Sequence, residues 1–185
     1  SDGLTAHIVT DDHTVHSIHT DTLVEVAPPI DIPPITGLRA LYLGSLSIGT
    51  IPFVRADLSP DDRYLITNQG RTGKLTLVDL EARTARTLEP DPPLGLTGGV
   101  AINAGWENRW RLAVHAHSRV VLYDLDPLLE GPLHEVATVP VAAQRVDHPG
   151  VIFMALAWNG KGDRLITQSK GPSGVAVFAV VSLRM

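Results

Sequence analysis

Eight histidines and no cysteine bound the chemistry open to this chain. Without a thiol there is no disulfide, thiolate metal site, iron–sulfur cluster or cysteine nucleophile. Imidazole remains as a metal ligand or as a base near neutral pH, and four of the eight fall in one stretch: His7, His13, His16 and His19. Side chains alternate between the faces of an extended strand, so His16 and His19 point opposite ways, while His13 falls at a hairpin. Three ligands therefore do not converge from this stretch alone, and solvent-facing histidines are expected. His115 and His117 are better placed, two apart on one strand face, but His117-Ser118 reads as a hairpin tip and two imidazoles alone hold zinc weakly. No metal site is expected.

Glycine and carboxylate patterns are equally discriminating. Gly70-Arg71-Thr72-Gly73-Lys74-Leu75 has the composition of a phosphate loop but not its spacing, which requires four residues between the glycines, a hydroxyl after the lysine and a helix next. Gly44-Ser45-Leu46-Ser47-Ile48-Gly49 misses the nucleophile elbow by one residue. No cofactor is expected from either. Asp11-Asp12 and Asp61-Asp62 are adjacent carboxylates, which face apart on a strand and both face water in a turn. Arg55 and Asp57 are more unusual, being charged groups that alternate along Phe53 to Leu58, otherwise an inner strand. An internal ion pair is the favoured reading and a charged lining for a ligand is the other. Trp106, Arg109 and Tyr123 are residue types that anchor interfaces, as is Trp110, which equally suits a core.

The elements that position these groups repeat. Leu58-Ser59-Pro60-Asp61-Asp62-Arg63-Tyr64-Leu65-Ile66-Thr67 aligns without a gap on Trp158-Asn159-Gly160-Lys161-Gly162-Asp163-Arg164-Leu165-Ile166-Thr167, an offset of 100 residues. Carried upstream the offset sets Phe53 on Phe153, and carried onward it sets Leu75–Asp79 on Val175–Ala179. Halfway between stand Trp110 to Val114 and Arg119 to Leu125, and a weaker copy runs from Ala6 through Thr14–Thr20 to Leu23–Val26, so the period is about 50 residues. Within a copy the apolar period is two, which argues for strands, and Ser, Pro, Asp, Asn and Gly clusters separate the runs as turns. Four short antiparallel strands per ~50 residues is the pattern of a propeller blade.

Leu58 to Asn68, followed by Leu75 to Leu80 and Thr84 to Leu88, resembles the repeat of YVTN-type and lactonase-like β-propellers, and more loosely the blade of WD-repeat propellers. No copy has a Gly-His start or a Trp-Asp ending; Asp79-Leu80 and Asp124-Leu125 stand where the Trp-Asp would be. The resemblance implies an all-β chain of about three and a half to four blades of four antiparallel strands, part of a larger ring. The blade copies fall at approximately 1–30, 53–90, 100–141 and 151–185 of a single segment 1–185, with 31–52 an irregular, proline-rich insertion. The first copy lacks its innermost strand and the last its outermost. A longer propeller, a second chain completing the ring, and four compact blades that close alone all remain open, the first being preferred.

A net charge of −5 and 19% charged residues describe a globular chain without the basic stripe that nucleic acid or an anionic membrane surface requires. No apolar run approaches the ~18 residues of a membrane span. Gly and Pro make up about 16% of the chain against a usual ~12%, which favours short elements between many turns. The absence of cysteine does not fix a compartment. The leading functional expectation is a non-catalytic scaffold or binding module whose partner is another protein, further blades or a second copy sharing one ring, with Arg55, Asp57, Asn103, Trp106, Arg109 and Tyr123 as binding residues. The alternative implied by the resemblance is a hydrolase with a site at the axial channel, drawing on Asp57, Asn103 and His148. If 1–185 is an open arc, its end copies should leave apolar faces bare, including Ile8, Val15, Val175, Val177 and Phe178.

Overall fold

The computed structural model describes residues 3–10, 13–33, 54–69, 73–95, 97–104, 110–116, 119–128, 130–140, 156–159, 161–170 and 176–182. Among them every regular element is a strand, and no helix is long and apolar enough to cross a membrane. The first sheet is β1 (Thr5–Val9), β2 (Thr14–His19) and β3 (Glu25–Asp31). The second is β4 (Val54–Leu58), β5 (Tyr64–Gln69), β6 (Leu75–Asp79) and β7 (Thr84–Leu88). The third combines β8 (Pro90–Asp91), β9 (Thr97–Ala104), β10 (Trp110–Ala116), β11 (Arg119–Leu125) and β12 (Leu133–Pro140). The fourth is β13 (Leu156–Trp158), β14 (Arg164–Lys170) and β15 (Ala176–Ser182). Consecutive strands pair antiparallel in chain order, except that β8 lies parallel to β12 at the outer edge of the third sheet.

The sheets stack face to face in chain order, each junction filled by its own core. Val15, Ile30 and Ile32 of the first sheet meet Leu65 and Val78 of the second. The opposite face of the second sheet, with Tyr64, Ile66, Leu75, Leu77 and Leu88, meets Val100, Ile102, Leu112, Val114, Val121 and Tyr123 of the third. Ala101, Ala113, Val120 and Leu122, from the third sheet's other face, meet Leu165 of the fourth with Leu156 and Trp158 beside it. Neighbours such as Leu65 and Ile66, or Leu112 and Ala113, thus serve opposite cores. A strand buried on both faces reads as an unbroken apolar run rather than an alternation, as in the Leu112–Val114 part of β10. Burying a Leu or Val side chain contributes roughly 1.5–3 kcal/mol, so these paired cores are the main stabilising term of the stack.

The turns after β4 and β13 are built by side chains. The Ser59 hydroxyl accepts the Tyr64 N–H at 2.8 Å and donates to Asp61 Oδ1 at 2.5 Å. One hundred residues on, Asn159 Oδ1 accepts the Arg164 N–H at 3.0 Å, and its Nδ2 donates to Asp163 Oδ1 at 2.6 Å. Both turns place one residue in the left-handed region, Asp62 at φ 59° and Gly162 at φ 71°. These two types tolerate that conformation best.

Three expectations are corrected. The hairpin after β5 does not transfer at an offset of 100: Leu65 pairs with Val78, whereas Leu165 pairs with Val181, because β14 stays paired out to Lys170 before its turn. Leu23 and Val24 belong to the β2–β3 turn, with Leu23 at φ 56°, and the strand instead runs through Pro28 and Pro29. Among the described residues β3 pairs only with β2 and stands at the sheet edge, where proline's missing N–H costs no ladder bond. Val15 is fully buried against the second sheet rather than left bare. Of the other residues expected on bare end faces, Ile8 is 44% exposed, Val175 lies outside the described residues, and Val177 and Phe178 stand in β15 with side chains outside them.

Candidate functional site

β4, β9 and β13, from the second, third and fourth sheets, lie side by side. Hydrogen bonds between sheets collect where these strands enter their turns. Asp57 projects from β4 toward the third sheet, and its Oδ2 accepts the backbone N–H of Ile102 at 2.8 Å. Asn103 Nδ2 donates to the Asn159 carbonyl at 3.0 Å. The Trp158 indole Nε1–H donates to the Ala101 carbonyl at 3.2 Å, beside the small side chains of Ala101 and Ala113 in the core it packs against. Between these ties opens a pocket of about 270 Å³ lined by Asp57, Leu58, Pro60, Ile102, Asn103, Leu156, Ala157, Trp158 and Asn159. Burial raises the Asp57 carboxyl above its ordinary value, against the opposing pull of the Ile102 and Leu58 N–H groups. Desolvation disfavours the charged form, so a carboxylate held there is poised to take a proton or a cation.

The expected binding residues divide sharply by position. Asp57 and Asn103 come together at this pocket. Arg55 belongs to β4, with its side chain outside the described residues; Trp106, Arg109 and His148 lie outside them altogether. Tyr123 is fully buried in the core between the second and third sheets, and desolvation pushes its hydroxyl up to about 12. Trp110 is packed edge-to-face on Tyr64, ring centres 6.3 Å apart, across the same junction. Trp158 and Asn159 line the pocket without having been singled out. They stand 100 residues from Leu58 and Ser59, so carrying Asp57's neighbourhood along the repeat would have found them.

The histidines disperse. His7 Nδ1 meets the Ser17 hydroxyl at 2.9 Å, His16 Nδ1 lies 2.5 Å from Glu25 Oε1, and His19 Nδ1 accepts the Asp21 N–H at 3.3 Å. His7 is half-buried, and that burial lowers its pKa against the raising effect of Asp62. His115 is buried within β10, and His117 lies outside the described residues. Among the described residues no three or more His, Asp or Glu side chains form a metal-holding group.

No family model matches the chain, and no curated protein does. Solved structures do match its fold. The crystal structure of the mitotic checkpoint complex aligns at a TM-score of 0.58 with 14% identity, over 98% of this chain and 44% of that one. The β-propeller domain of Myceliophteria thermophila Cps50 (Swd1) aligns at 0.53 with 16% identity, over 91% and 46%. The RRP9 WD40 repeats align at 0.50 with 14% identity, over 94% and 49%. The chain therefore spans less than half the length of these structures. The fold is that of a β-propeller resembling WD repeats, as the repeat residues implied.

Proposed function

We propose that the chain is a non-catalytic propeller arc, a rigid scaffold whose partner is another protein, and that the arc is completed by a second copy sharing one ring. The observation that supports this is the state of the end sheets. Each junction inside the stack is sealed by apolar residues from both sides. The outward face of the fourth sheet, by contrast, presents Ile166 and its cross-strand partner Val180 at 40% and 61% exposure. Ile8 stands exposed on the outward face of the first sheet. These faces continue the stacking geometry beyond the chain's own sheets, and a further propeller sheet is the surface that fits them. A face of ~500 Å² at ~25 cal/mol per Å² contributes about 12 kcal/mol, comparable with the ~4–15 kcal/mol that association costs. Contact through both ends of two arcs tips that balance toward assembly.

Sedimentation equilibrium tests the reading. The expected species is twice the 19.9 kDa chain mass, and the Ile166→Lys, Val180→Lys double variant shifts it to the monomer. A folded 19.9 kDa monomer for the unaltered chain, with solubility and mass unchanged by the double variant, overturns it.

The hydrolase alternative needs histidines and carboxylates from several sheets to meet at one channel mouth. Of its three residues, Asp57 and Asn103 line the pocket and His148 lies outside the described residues.

A further inference from the structure

The pocket between β4, β9 and β13 has a chemistry of its own. Its charged lining residue is Asp57; its remaining walls are apolar (Leu58, Pro60, Ile102, Leu156) or neutral (Asn103, Trp158, Asn159). One Asp57 oxygen is held by the Ile102 N–H, and among the described residues no lysine, arginine or histidine makes an ion pair with this carboxylate. Among the described residues this half-buried carboxylate therefore has no counter-ion, an arrangement that burial makes unfavourable. The walls decide what counter-ion fits. A bare divalent ion would meet one carboxylate, and both oxygens of Asn159 already accept hydrogen bonds from Asn103 and Arg164, which leaves a poor oxygen set for an ion that takes six or more ligands; an anion would be repelled. A long cationic side chain matches both parts, because its methylene stem lies on apolar surface while its head keeps a charged partner. The indole of Trp158 is fixed by its bond to Ala101 and supplies an aromatic surface of the kind cations favour. Size points the same way: about 270 Å³ falls just under the ~300 Å³ at which pockets for whole small molecules begin.

We propose that this pocket receives a single lysine or arginine side chain from a protein partner, with Asp57 as its counter-ion and Leu58, Leu156 and Trp158 as the walls around its stem. The proposal rests on the scaffold reading in one respect, that the ligand belongs to a protein. It identifies a second contact surface, at the turn end of the inner strands, which touches the fourth sheet's outward face at Ala157, the cross-strand partner of Ile166.

Amide-proton NMR of the full chain tests it, with N-acetyl-arginine amide and N-acetyl-lysine amide as probes. Saturable shifts are expected at the Ile102 amide and the Trp158 indole N–H. N-acetyl-citrulline amide and N-acetyl-norleucine amide, which keep the stems and lack the charge, should bind at least about tenfold more weakly. Asp57→Asn keeps an oxygen for the Ile102 N–H and removes the charge, so it should abolish the preference while the spectrum stays dispersed. Absence of shifts at both reporters overturns the proposal, as does equal binding of neutral and cationic probes to the unaltered chain, a comparison that needs no variant. Tighter binding of the free diamine putrescine than of either capped residue overturns the assignment to a protein side chain. An Ile8→Lys variant, altered on the first sheet's outward face and away from Ala157, should weaken assembly yet bind both cationic probes as the unaltered chain does, so failure of assembly and failure of this pocket are read separately.

Discussion

Replacing Gly73 with alanine should be among the most damaging single-methyl changes in the molecule, and its size follows from two local facts. Gly73 opens β6 in the left-handed region, at φ 68°, which costs a residue with a Cβ roughly 1–2 kcal/mol. The added Cβ would also fall inside the van der Waals shell of the Leu94 carbonyl and 2.7 Å from the carbonyl oxygen of Gly95. Both obstacles are backbone, so the 94–95 segment must move. Leu94 is 5% exposed and packs in the core between the second and third sheets; withdrawing it forfeits up to about 1.5–3 kcal/mol. The two effects together predict a loss of about 3–5 kcal/mol. Gly95 supplies the control, because a Cβ there meets nothing within 4 Å, and Gly95→Ala should fall between neutral and about 1 kcal/mol stabilising. Urea unfolding followed by tryptophan fluorescence measures both. Equal midpoints for Gly73→Ala and the unaltered chain would refute the reasoning, since neither the turn nor the Leu94 contact would then be as described.

Three further outcomes are expected. Ser59→Ala strips the acceptor from the Tyr64 N–H inside a buried turn and should lower stability by about 1–3 kcal/mol, read as a denaturation midpoint. Ala113→Leu forces three carbons into the junction that holds Leu165 and Trp158 and should cost about 1–3 kcal/mol through overpacking, where the same change at exposed Ala137 should leave the midpoint in place. Burial pushes the Asp79 carboxyl up, but the Ala82 and Glu81 N–H groups and the Arg63 guanidinium outweigh it and hold the pKa below 3.8. Its stabilisation is therefore present above the unfolded value and lost as pH falls through the folded one, so Asp79→Asn should lower the Tm at neutral pH and flatten its decline in acid. A parallel decline in both proteins would contradict that assignment.

What the sequence disclosed was whatever is decided within a few residues. The β4–β5 and β13–β14 hairpins were legible because their turn chemistry and apolar flanks are local, and they obey the 100-residue offset in their pairing, Leu58 with Leu65 and Trp158 with Leu165. The next pairing failed to transfer because it depends on how far β14 runs before turning, a length that side-chain type does not encode. The prolines of β3 obscured a strand because proline excludes itself only from positions that need an N–H, and an edge strand has such positions to spare. At the pocket, Asp57 and Asn103 could be singled out as polar groups on inner strands. Their partners are backbone atoms of Ile102 and Asn159, and no residue letter advertises those. Tyr123 shows the converse: an interface-type residue whose place in the β11 alternation puts it wholly inside a core.

The parallel pairing of β8 with β12 ties the chain that enters the third sheet to the strand that leaves it. Pro90 and Asp91 lie against Leu133 and His134, and the Leu133 N–H bonds the Glu89 carbonyl at 2.8 Å, so this sheet's first strand and its last are neighbours at the outer rim. Residues 90–140 therefore form a loop fastened at its base, with two cores on its faces and β8 shielding part of the edge that β12 would otherwise offer to a foreign strand. The first and fourth sheets each contribute to one of the three cores and have no such clasp among the described residues. Opening should consequently travel inward from both ends of the stack, leaving the amides of β10 and β11 as the last to exchange with solvent.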